Sequence, residues 1–370
     1  MHINTDKPYR LFADTIESEA LQQFESAMQQ PFVVRGALMA DAHVGYSLPI
    51  GAVIATDSVV VPAWVGYDIG CGMCAVPLSQ NKAELSSQAE AIFTGIYQQV
   101  PVGFSHNSQP TDWAALGKLD KTAALAEIFG KNGLFQLGSL GGGNHFIEIG
   151  ADEQNQGWIV IHSGSRGIGH AVATHYMKLA SGTGKAREGH YGLKVNSKDG
   201  QDYLKDLNFC LAFALENRME IMRRVVKTIC DILPGRADWD RLINRTHNHV
   251  EQKGGTWIHR KGATHAESGM MGVIPGNMRD GSFIVRGKGN PDSLCSSSHG
   301  AGRVLGRKNA KATIKLADFS ATMRGITARV NQATLDESPF AYKNIFTIIA
   351  QQRELIDVVA HVTPIVNIKG

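Results

Sequence analysis

The 370-residue chain is long enough for one large domain or two ordinary ones, and 43% hydrophobic with 19% charged residues is ordinary for a globular protein with a sizeable core. The net charge of +3 is too small to indicate a polyanion partner, so any nucleic-acid contact must come from a local patch. No apolar run is long enough to cross a bilayer, and residues 1–6 lack the features of a signal peptide. We therefore expect a soluble, cytoplasmic protein.

Short strands and helices are predicted to alternate along the chain. Residues 41–76 favour short strands broken by turns, of which Val59–Val61 is the clearest. Continuous apolar runs predict the remaining strands. Helices are predicted where apolar residues recur every three or four positions, or where helix-forming residues dominate. In chain order these elements are helices at roughly 82–100 and 113–130, a strand at Trp158–His162, a helix at Asp202–Leu233 that Pro234 and Gly235 stop, and a strand at Ser282–Val285.

Glycine is over-represented and clustered. The 40 glycines concentrate at 66–72, 138–143, 164–169 and 300–302. Glycine allows positive φ and close backbone approach, so such clusters mark turns that wrap a ligand or metal, or alternatively a loop-rich β protein. Each cluster lies beside His, Cys, Asp or Arg, which favours the ligand interpretation. Because these loops come from both halves of the chain, we expect one intertwined α+β domain, residues 1–370, with mixed or antiparallel sheets, surrounding helices and a central cleft.

Five residues form a candidate metal constellation: Asp68, Cys71, His145, His162 and His259. The three histidines border apolar, strand-like runs, and the Asp-x-x-Cys pair lies in a glycine turn. A lone histidine at a strand end is more often structural, but three together with this pair are typical of a metal site. Imidazole, thiolate and carboxylate suit zinc, manganese, iron or cobalt. Five ligands exceed one closed zinc site, so two ions about 3.5–4 Å apart, sharing Cys71, are predicted.

The cysteines themselves allow other interpretations. An odd total of five argues against a disulfide framework in a cytosolic protein, and Cys210 and Cys230 lie in a helical stretch that predicts core positions. Cys71 and Cys74 form a C-x-x-C pair. Thioredoxin-like chemistry would place that pair at the start of a helix, whereas the flanking residues look strand-like on both sides. A zinc knuckle would need a second nearby pair, which the sequence lacks.

A small-residue loop, Ser296 to Arg303, contains His299. Its backbone N–H groups can form an anion-binding nest, with Arg303 supplying charge. A histidine in such a loop can donate to a phosphate or attack it as a neutral nucleophile. Spacing alone does not decide between these two functions.

Taken in order, the motifs resemble those of the RtcB family of RNA ligases from about residue 40 onward. The matching segments are 41–46, 49–51, 65–72, 141–148, 162–167, 259–264, 275–278, 299–303, 341–343 and 369–370. The resemblance implies that the five candidate ligands bind two Mn²⁺ ions and that His299 takes GMP from GTP. It implies that Asn144 and Arg166 hold phosphates, with Arg303 near phosphate or RNA, and that Asp41 orients His299. The implied nucleotide pocket comprises Asn144, Glu148, Asn277, Ser282, Gly300, Ala301, Gly302, Tyr342 and Lys369, with Glu148 accepting from guanine and Tyr342 stacking on it.

The activity implied by the resemblance is GTP- and Mn²⁺-dependent joining of RNA 3′-phosphate or 2′,3′-cyclic phosphate ends to 5′-hydroxyl ends, in RNA repair or tRNA splicing. One rival is a metal-dependent phosphoesterase that opens cyclic phosphates without ligation, and this rival would not need His299, Glu148, Tyr342 or Lys369. A second rival, a catalytically silent RNA-end-binding protein, should have lost a ligand or the nucleophile.

Three features depart from the family pattern. Cys74 stands where the family commonly has Arg, so an RNA contact is expected to be missing there. Ser298 stands where Cys is frequent, and the chain is short. These features resemble a shorter bacterial paralogue group, for which a release-factor-like partner or an archease-like activator is expected. Other histidines stay open. His170 and His175 lie near the site or on a surface helix. His247 and His249 would suit a metal, but RNA contact or structure is favoured because the ligand set is complete without them.

Overall fold

The computed structural model describes residues 1–370 and contains seventeen strands and ten α-helices. The strands are β1 (Tyr9–Leu11), β2 (Val33–His43), β3 (Ile50–Thr56), β4 (Val59–Val60), β5 (Gly72–Asn81), β6 (Phe146–Ala151), β7 (Gln156–Ser163), β8 (Leu193–Lys194), β9 (Ile243–Thr246), β10 (Asn248–Lys253), β11 (Thr256–Lys261), β12 (Ala263–His265), β13 (Met271–Pro275), β14 (Ser282–Gly287), β15 (Ser296–Ser298), β16 (Thr327–Ala328) and β17 (Ile356–Lys369). The helices are α1 (Ser18–Met28), α2 (Pro62–Val65), α3 (Lys82–Ser87), α4 (Ala89–Gln99), α5 (Ala123–Gln136), α6 (Arg166–Ser181), α7 (Lys198–Ile232), α8 (Arg307–Thr313), α9 (Leu316–Thr322) and α10 (Ile345–Gln351).

Two large sheets carry the fold. One has the strand order β1-β2-β3-β11-β10, and the other runs β13-β14-β17-β6-β7-β5-β9, with β16 beside β17. Neighbouring strands are mostly antiparallel, while β1–β2 and β16–β17 are parallel pairs. Helices pack around both sheets, which confirms the predicted α+β class. No helix combines the length and apolar character needed to span a membrane.

The long helix α7 connects two hydrophobic cores. Its first half places Phe209 and Phe213 in the larger cluster, and its second half places Ile221 and Ile229 in another. The predicted helix at Asp202–Leu233 is confirmed, with a start four residues earlier at Lys198. The strands predicted at Trp158–His162 and Ser282–Val285 are confirmed as parts of β7 and β14.

Other boundaries differ from prediction for local reasons. Val61 caps α2 instead of continuing β4, because Pro62 occupies the first helical position. Residues 82–100 form two helices, α3 and α4, on either side of the non-helical Gln88. The helix expected at 113–130 begins only at Ala123, where Thr122 accepts the N–H of Leu125 as its N-cap.

The final strand, β17, was not predicted. It lies between β14 and β6 in the second large sheet. Its antiparallel register with β6 places Asn367 opposite Glu148 and Lys369 opposite Phe146. This register fixes Lys369 beside the segment that carries the predicted site residues Asn144, His145 and Glu148.

Candidate active site

Four of the five predicted metal ligands meet in a cluster. The Cys71 Sγ lies 3.1 Å from His162 Nε2 and 3.4 Å from His145 Nε2, and an Asp68 carboxylate oxygen lies 3.0 Å from His145 Nε2. Asp68 and Cys71 come from the turn before β5, His145 precedes β6, and His162 lies near the end of β7. The register joins the three loops, because β5 and β6 both pair with β7.

Backbone carbonyls orient the two clustered imidazoles. Nδ1 of His145 lies 3.0 Å from the Leu140 carbonyl, and Nδ1 of His162 lies 3.2 Å from the Asn144 carbonyl. A proton on each Nδ1 leaves the Nε2 lone pairs facing the cluster, as metal-binding histidines require. Burial lowers the pKa of His162 well below its usual value, which keeps that ring neutral. The donor set fits a transition metal better than Mg²⁺ or Ca²⁺.

His247 completes this cluster, although the sequence analysis left it outside the ligand set. Its Nε2 lies 3.3 Å from His162 Nε2, and the ligand atoms of Cys71, His162 and His247 all lie within 4.8 Å of one another. The residue occupies the single position between β9 and β10, and its backbone N–H donates to the Cys71 carbonyl at 2.8 Å. Pairing of β9 with β5 therefore delivers His247 to the metal loop.

His259 lies outside the cluster, contrary to the prediction. Its Nε2 accepts the backbone N–H of Val61 at 2.9 Å, and its ring packs edge-on against Trp64 with centroids 5.5 Å apart. A nitrogen that accepts a backbone proton has no lone pair free for a metal. His259 therefore fixes the start of α2, and His247 replaces it in the candidate ligand set.

Two buried polar residues of α7 hold the ligand loops, and the sequence analysis missed both. Asn217 accepts the N–H of Gly138 at 2.7 Å, and Arg218 donates to the carbonyls of Gly70 and Ser163 at 2.8 and 2.9 Å. Both side chains are fully buried. The sequence did contain a sign of this function, because both residues lie on the apolar face of α7. A polar residue placed there must find hydrogen-bond partners inside the protein.

Cys74, the departure from the family pattern, does not face a binding surface. It lies on β5 within a hydrophobic core and is fully buried. Burial raises its pKa to about 12, so it remains a neutral thiol. The strand β5 begins at Gly72, inside the Cys71–Cys74 pair, whereas the residues before Cys71 form a turn, so the expectation of strand on both sides was wrong.

His299 is paired with a buried carboxylate. Its Nδ1 lies 2.7 Å from Asp41 Oδ2, and the same oxygen accepts the backbone N–H groups of His299 and Gly300. Burial alone would raise the pKa of Asp41, but the hydrogen bond and charge of His299 lower it below its usual value. Asp41 is thus ionised and accepts the Nδ1 proton of His299, and in the neutral ring this leaves the lone pair on Nε2. The His299 ring lies 4.8 Å from the His247 ring, next to the metal cluster.

A cavity of about 210 Å³ opens beside His299. Its lining includes every residue that the resemblance assigned to the nucleotide: Asn144, Glu148, Asn277, Ser282, Gly300, Ala301, Gly302, Tyr342 and Lys369. Glu148 is 1% exposed and its Oε1 has no hydrogen-bond partner. Burial raises its pKa to about 8. A buried carboxylate oxygen without a partner, in the wall of a cavity, indicates a ligand with N–H donors.

Glu337, missed in the sequence, organises the far side of this cavity. Its carboxylate accepts from Tyr342 Oη at 2.6 Å, Lys369 Nζ at 2.8 Å, and the guanidinium groups of Arg303 and Arg307 at 3.2 and 2.8 Å. The Arg303 guanidinium also covers one face of the Tyr342 ring at 4.8 Å. A stacked base would therefore have to use the other face of that ring.

His299 joins this cavity to a second, larger one of about 730 Å³. The second cavity is lined by Asp68, Cys71 and His247 of the cluster, and Asn144, His299, Arg303 and Arg307 line both. Arg166 lies apart from both, in a cleft that it shares with Asp68 and His145. Its guanidinium donates to Ser139 Oγ and to the Gly103 carbonyl.

Comparison with known proteins gives a consistent result over nearly the whole chain. A family model described as "tRNA-splicing ligase RtcB" matches residues 23–127 and 114–370. The chain is 36% identical over 388 residues to RNA-splicing ligase RtcB of Escherichia coli K12, covering 96% of this chain and 95% of the relative. It is 35% identical to RNA-splicing ligase RtcB1 of another Escherichia coli strain, with the same coverage. It is also 30% identical to tRNA-splicing ligase RtcB of Nanoarchaeum equitans, covering 96% and 92%.

Proposed function

Because the chain belongs to the RtcB family and is an RNA ligase, we propose that it joins RNA 3′-phosphate or 2′,3′-cyclic phosphate ends to 5′-hydroxyl ends, using GTP and Mn²⁺. The observation that carries the proposal is the place of His299. It lines both the cavity that contains Glu148 and the cavity that contains the metal cluster. A nucleotide α-phosphate and an RNA end can therefore approach the same imidazole.

In the first step, Nε2 of His299 attacks the α-phosphorus of GTP, and the bond to the β-phosphate oxygen breaks to release pyrophosphate. Asp41 holds the ring with Nδ1 protonated and stabilises the positive charge that develops on it. Asn144, which lines both cavities, is proposed to hold oxygens of the reacting phosphate, and Arg166, in the cleft beside Asp68 and His145, is proposed to hold a phosphate of the RNA. The product is a phosphoramidate between His299 and GMP.

In the later steps, an oxygen of the RNA 3′-phosphate attacks this phosphorus, and the P–N bond breaks to return the electron pair to His299. The 5′-hydroxyl of the second RNA end then attacks the activated RNA phosphate and releases GMP, while its proton passes to solvent. Asp68, Cys71, His145, His162 and His247 would hold two Mn²⁺ ions. When bound, the ions neutralise phosphoryl charge and activate water to open a cyclic phosphate.

The proposal is tested by incubating the protein with α-labelled GTP and Mn²⁺ in the absence of RNA. We expect acid-labile, alkali-stable label on the wild type and none on His299→Ala. His175→Ala is the matched control, because His175 lines neither cavity. An unlabelled wild type, or undiminished label on His299→Ala, would contradict the ligase mechanism and favour a phosphoesterase. RNA sealing is then measured over many turnovers. Repeated turnover by the protein alone would mean that residues 1–370 act as one catalytic unit, and a single turnover would mean that an archease-like or release-factor-like partner is needed.

Affinity for GTP is expected to rise with pH. In the free protein the Glu148 pKa is about 8, so the group is largely protonated at pH 7. Accepting hydrogen bonds from N1–H and N2–H of guanine requires the carboxylate, so binding must release a proton. We expect the association constant to rise roughly tenfold per pH unit below about pH 8 and then to level off. Titration of GTP between pH 6 and 9 measures this slope.

Glu148→Gln is the control for this pH dependence. The variant should bind GTP weakly at every pH, because its amide group donates where guanine also donates. The part of the pH dependence of GTP affinity that is lost in Glu148→Gln is the part that is due to Glu148. Wild-type affinity that falls as pH rises would contradict the proposed recognition of guanine.

A further inference from the structure

Aromatic and imidazole rings surround the outer side of the metal cluster. A cleft of about 420 Å³ is bordered by the candidate ligands Asp68 and His145 and by Arg166. The same cleft is lined by four rings, those of Tyr67, Phe104, His106 and His170. Neither the metal ligands nor the nucleotide cavity needs these rings, so they call for a separate explanation.

The rings on one side are already arranged as a stack. Tyr67 and His170 lie nearly parallel, with centroids 4.7 Å apart and an interplanar angle of 19°. Tyr46, which is 73% exposed, meets Tyr67 edge-on at 6.4 Å. Tyr67 directly precedes the ligand Asp68, while His170 lies on the first turns of α6 and is exposed. This arrangement leaves flat ring surfaces open to solvent beside the cluster.

Phe104 is held in the cleft by an anchored loop although its side chain is fully exposed. The N–H of Gly103 donates to the Gly141 carbonyl at 2.9 Å, and Arg166 donates to the Gly103 carbonyl at 2.8 Å. Gly141 belongs to the loop that leads to His145. Phe104 lines the cleft together with Tyr67, His106 and His170, and such a group of rings, unlike a single exposed apolar residue, indicates a binding surface.

We propose that this cleft binds a nucleobase of the RNA end that reacts at the metal cluster, by stacking on Phe104 and on the Tyr67–His170 pair. The inference rests on the proposed function for the presence of RNA at the cluster. Single-stranded RNA ends carry unstacked bases, which proteins recognise on aromatic and histidine rings in a sequence-tolerant way. Arg166 lies in the same cleft and supplies positive charge for the adjoining phosphate. The rings hold the last base, and the phosphate or hydroxyl of the same nucleotide reaches the cluster.

The test uses RNA strands whose terminal nucleotide is intact or abasic, at the 3′-phosphate end in one arm and at the 5′-hydroxyl end in the other. For the wild type, KM for sealing should rise roughly 5- to 100-fold with the abasic nucleotide at one of the two ends, which identifies the end that occupies the cleft. Phe104→Ala and His170→Ala should raise KM for intact RNA and bring the abasic-to-intact ratio close to one. Phe104→Trp should restore the ratio, whereas Phe104→Leu, which lacks a ring, should not.

Because each comparison is a ratio within one variant, a general loss of activity cancels. Phe346→Ala, another exposed phenylalanine, is the matched control and should keep the wild-type ratio. Unchanged ratios in Phe104→Ala and His170→Ala, or no abasic effect in the wild type at either end, would overturn the proposal. Failure of the proposed function is detected separately, as absence of GTP label on the wild type. Binding of the same oligonucleotides by fluorescence anisotropy would still report on the cleft.

Discussion

Replacing His247 with alanine is expected to lower Mn²⁺ affinity by more than about 100-fold and to abolish GTP labelling and RNA sealing. Loss of a partner that only orients a metal ligand typically costs about 10–100-fold, so loss of a direct ligand should cost more. The Nε2 of His247 lies within 4.8 Å of the Cys71 and His162 ligand atoms, which places it in direct reach of an ion bound there. Titration calorimetry with Mn²⁺, together with metal content after dialysis, measures the change.

His259→Ala is the matched control, because it removes a buried histidine of the same fold that lies outside the cluster. It breaks the hydrogen bond from Val61 N–H and leaves that buried donor without a partner, at a cost of about 1–3 kcal/mol in the free energy of unfolding. Its Mn²⁺ stoichiometry should remain that of the wild type. The opposite pattern, metal lost in His259→Ala and retained in His247→Ala, would restore the ligand set predicted from the sequence.

The exchange of these two histidines shows where a single sequence reaches its limit. Local pattern favoured His259, since it follows an apolar run typical of a strand, and that strand is real as β11. Local pattern does not tell which way the ring of a strand residue turns, and here it turns toward Trp64. His247 reaches Cys71 only through the pairing of β9 with β5, a contact between segments about 170 residues apart. The other four candidate ligands could be picked out from the sequence because each lies beside a glycine turn or at a strand end.

The residues of the nucleotide cavity likewise divide into those that the sequence indicates and those that only the fold brings together. Its glycine-rich loop and His299 stand out in the sequence, and the family resemblance supplied the remaining lining residues. Glu337 gave no such signal, because three of its four donors lie 30 or more residues away in sequence: Arg303, Arg307 and Lys369. Taken by itself in the sequence, Lys369 would be interpreted as a solvated residue of the chain terminus. Only β17, whose register with β6 carries it to the cavity, gives Lys369 a fixed position.

Asp41→Asn is expected to slow GTP labelling of His299 by about 10²- to 10³-fold while leaving GTP and Mn²⁺ affinity largely intact. The carboxylate accepts the Nδ1 proton at 2.7 Å, which keeps the lone pair on Nε2. In asparagine the amide oxygen would keep accepting from Nδ1 and from the backbone N–H groups of His299 and Gly300, because an NH2 group at that position would face only donors. The variant therefore keeps the orientation of the ring but loses the negative charge that stabilises the imidazolium formed during attack on phosphorus. Single-turnover labelling against time measures the rate.

Ser298→Ala provides the control, because the Ser298 hydroxyl contacts Asp41 and makes no hydrogen bond to the His299 ring. Its hydroxyl accepts the Asp41 backbone N–H at 3.2 Å, so its loss disturbs the position of the carboxylate but not its charge. We expect a labelling rate much closer to the wild type than that of Asp41→Asn. Equal losses in both variants would mean that Asp41 acts by placing the loop. A full labelling rate in Asp41→Asn would mean that the attack does not depend on the charge of Asp41, and the assignment of Asp41 as the group that stabilises the imidazolium would fall.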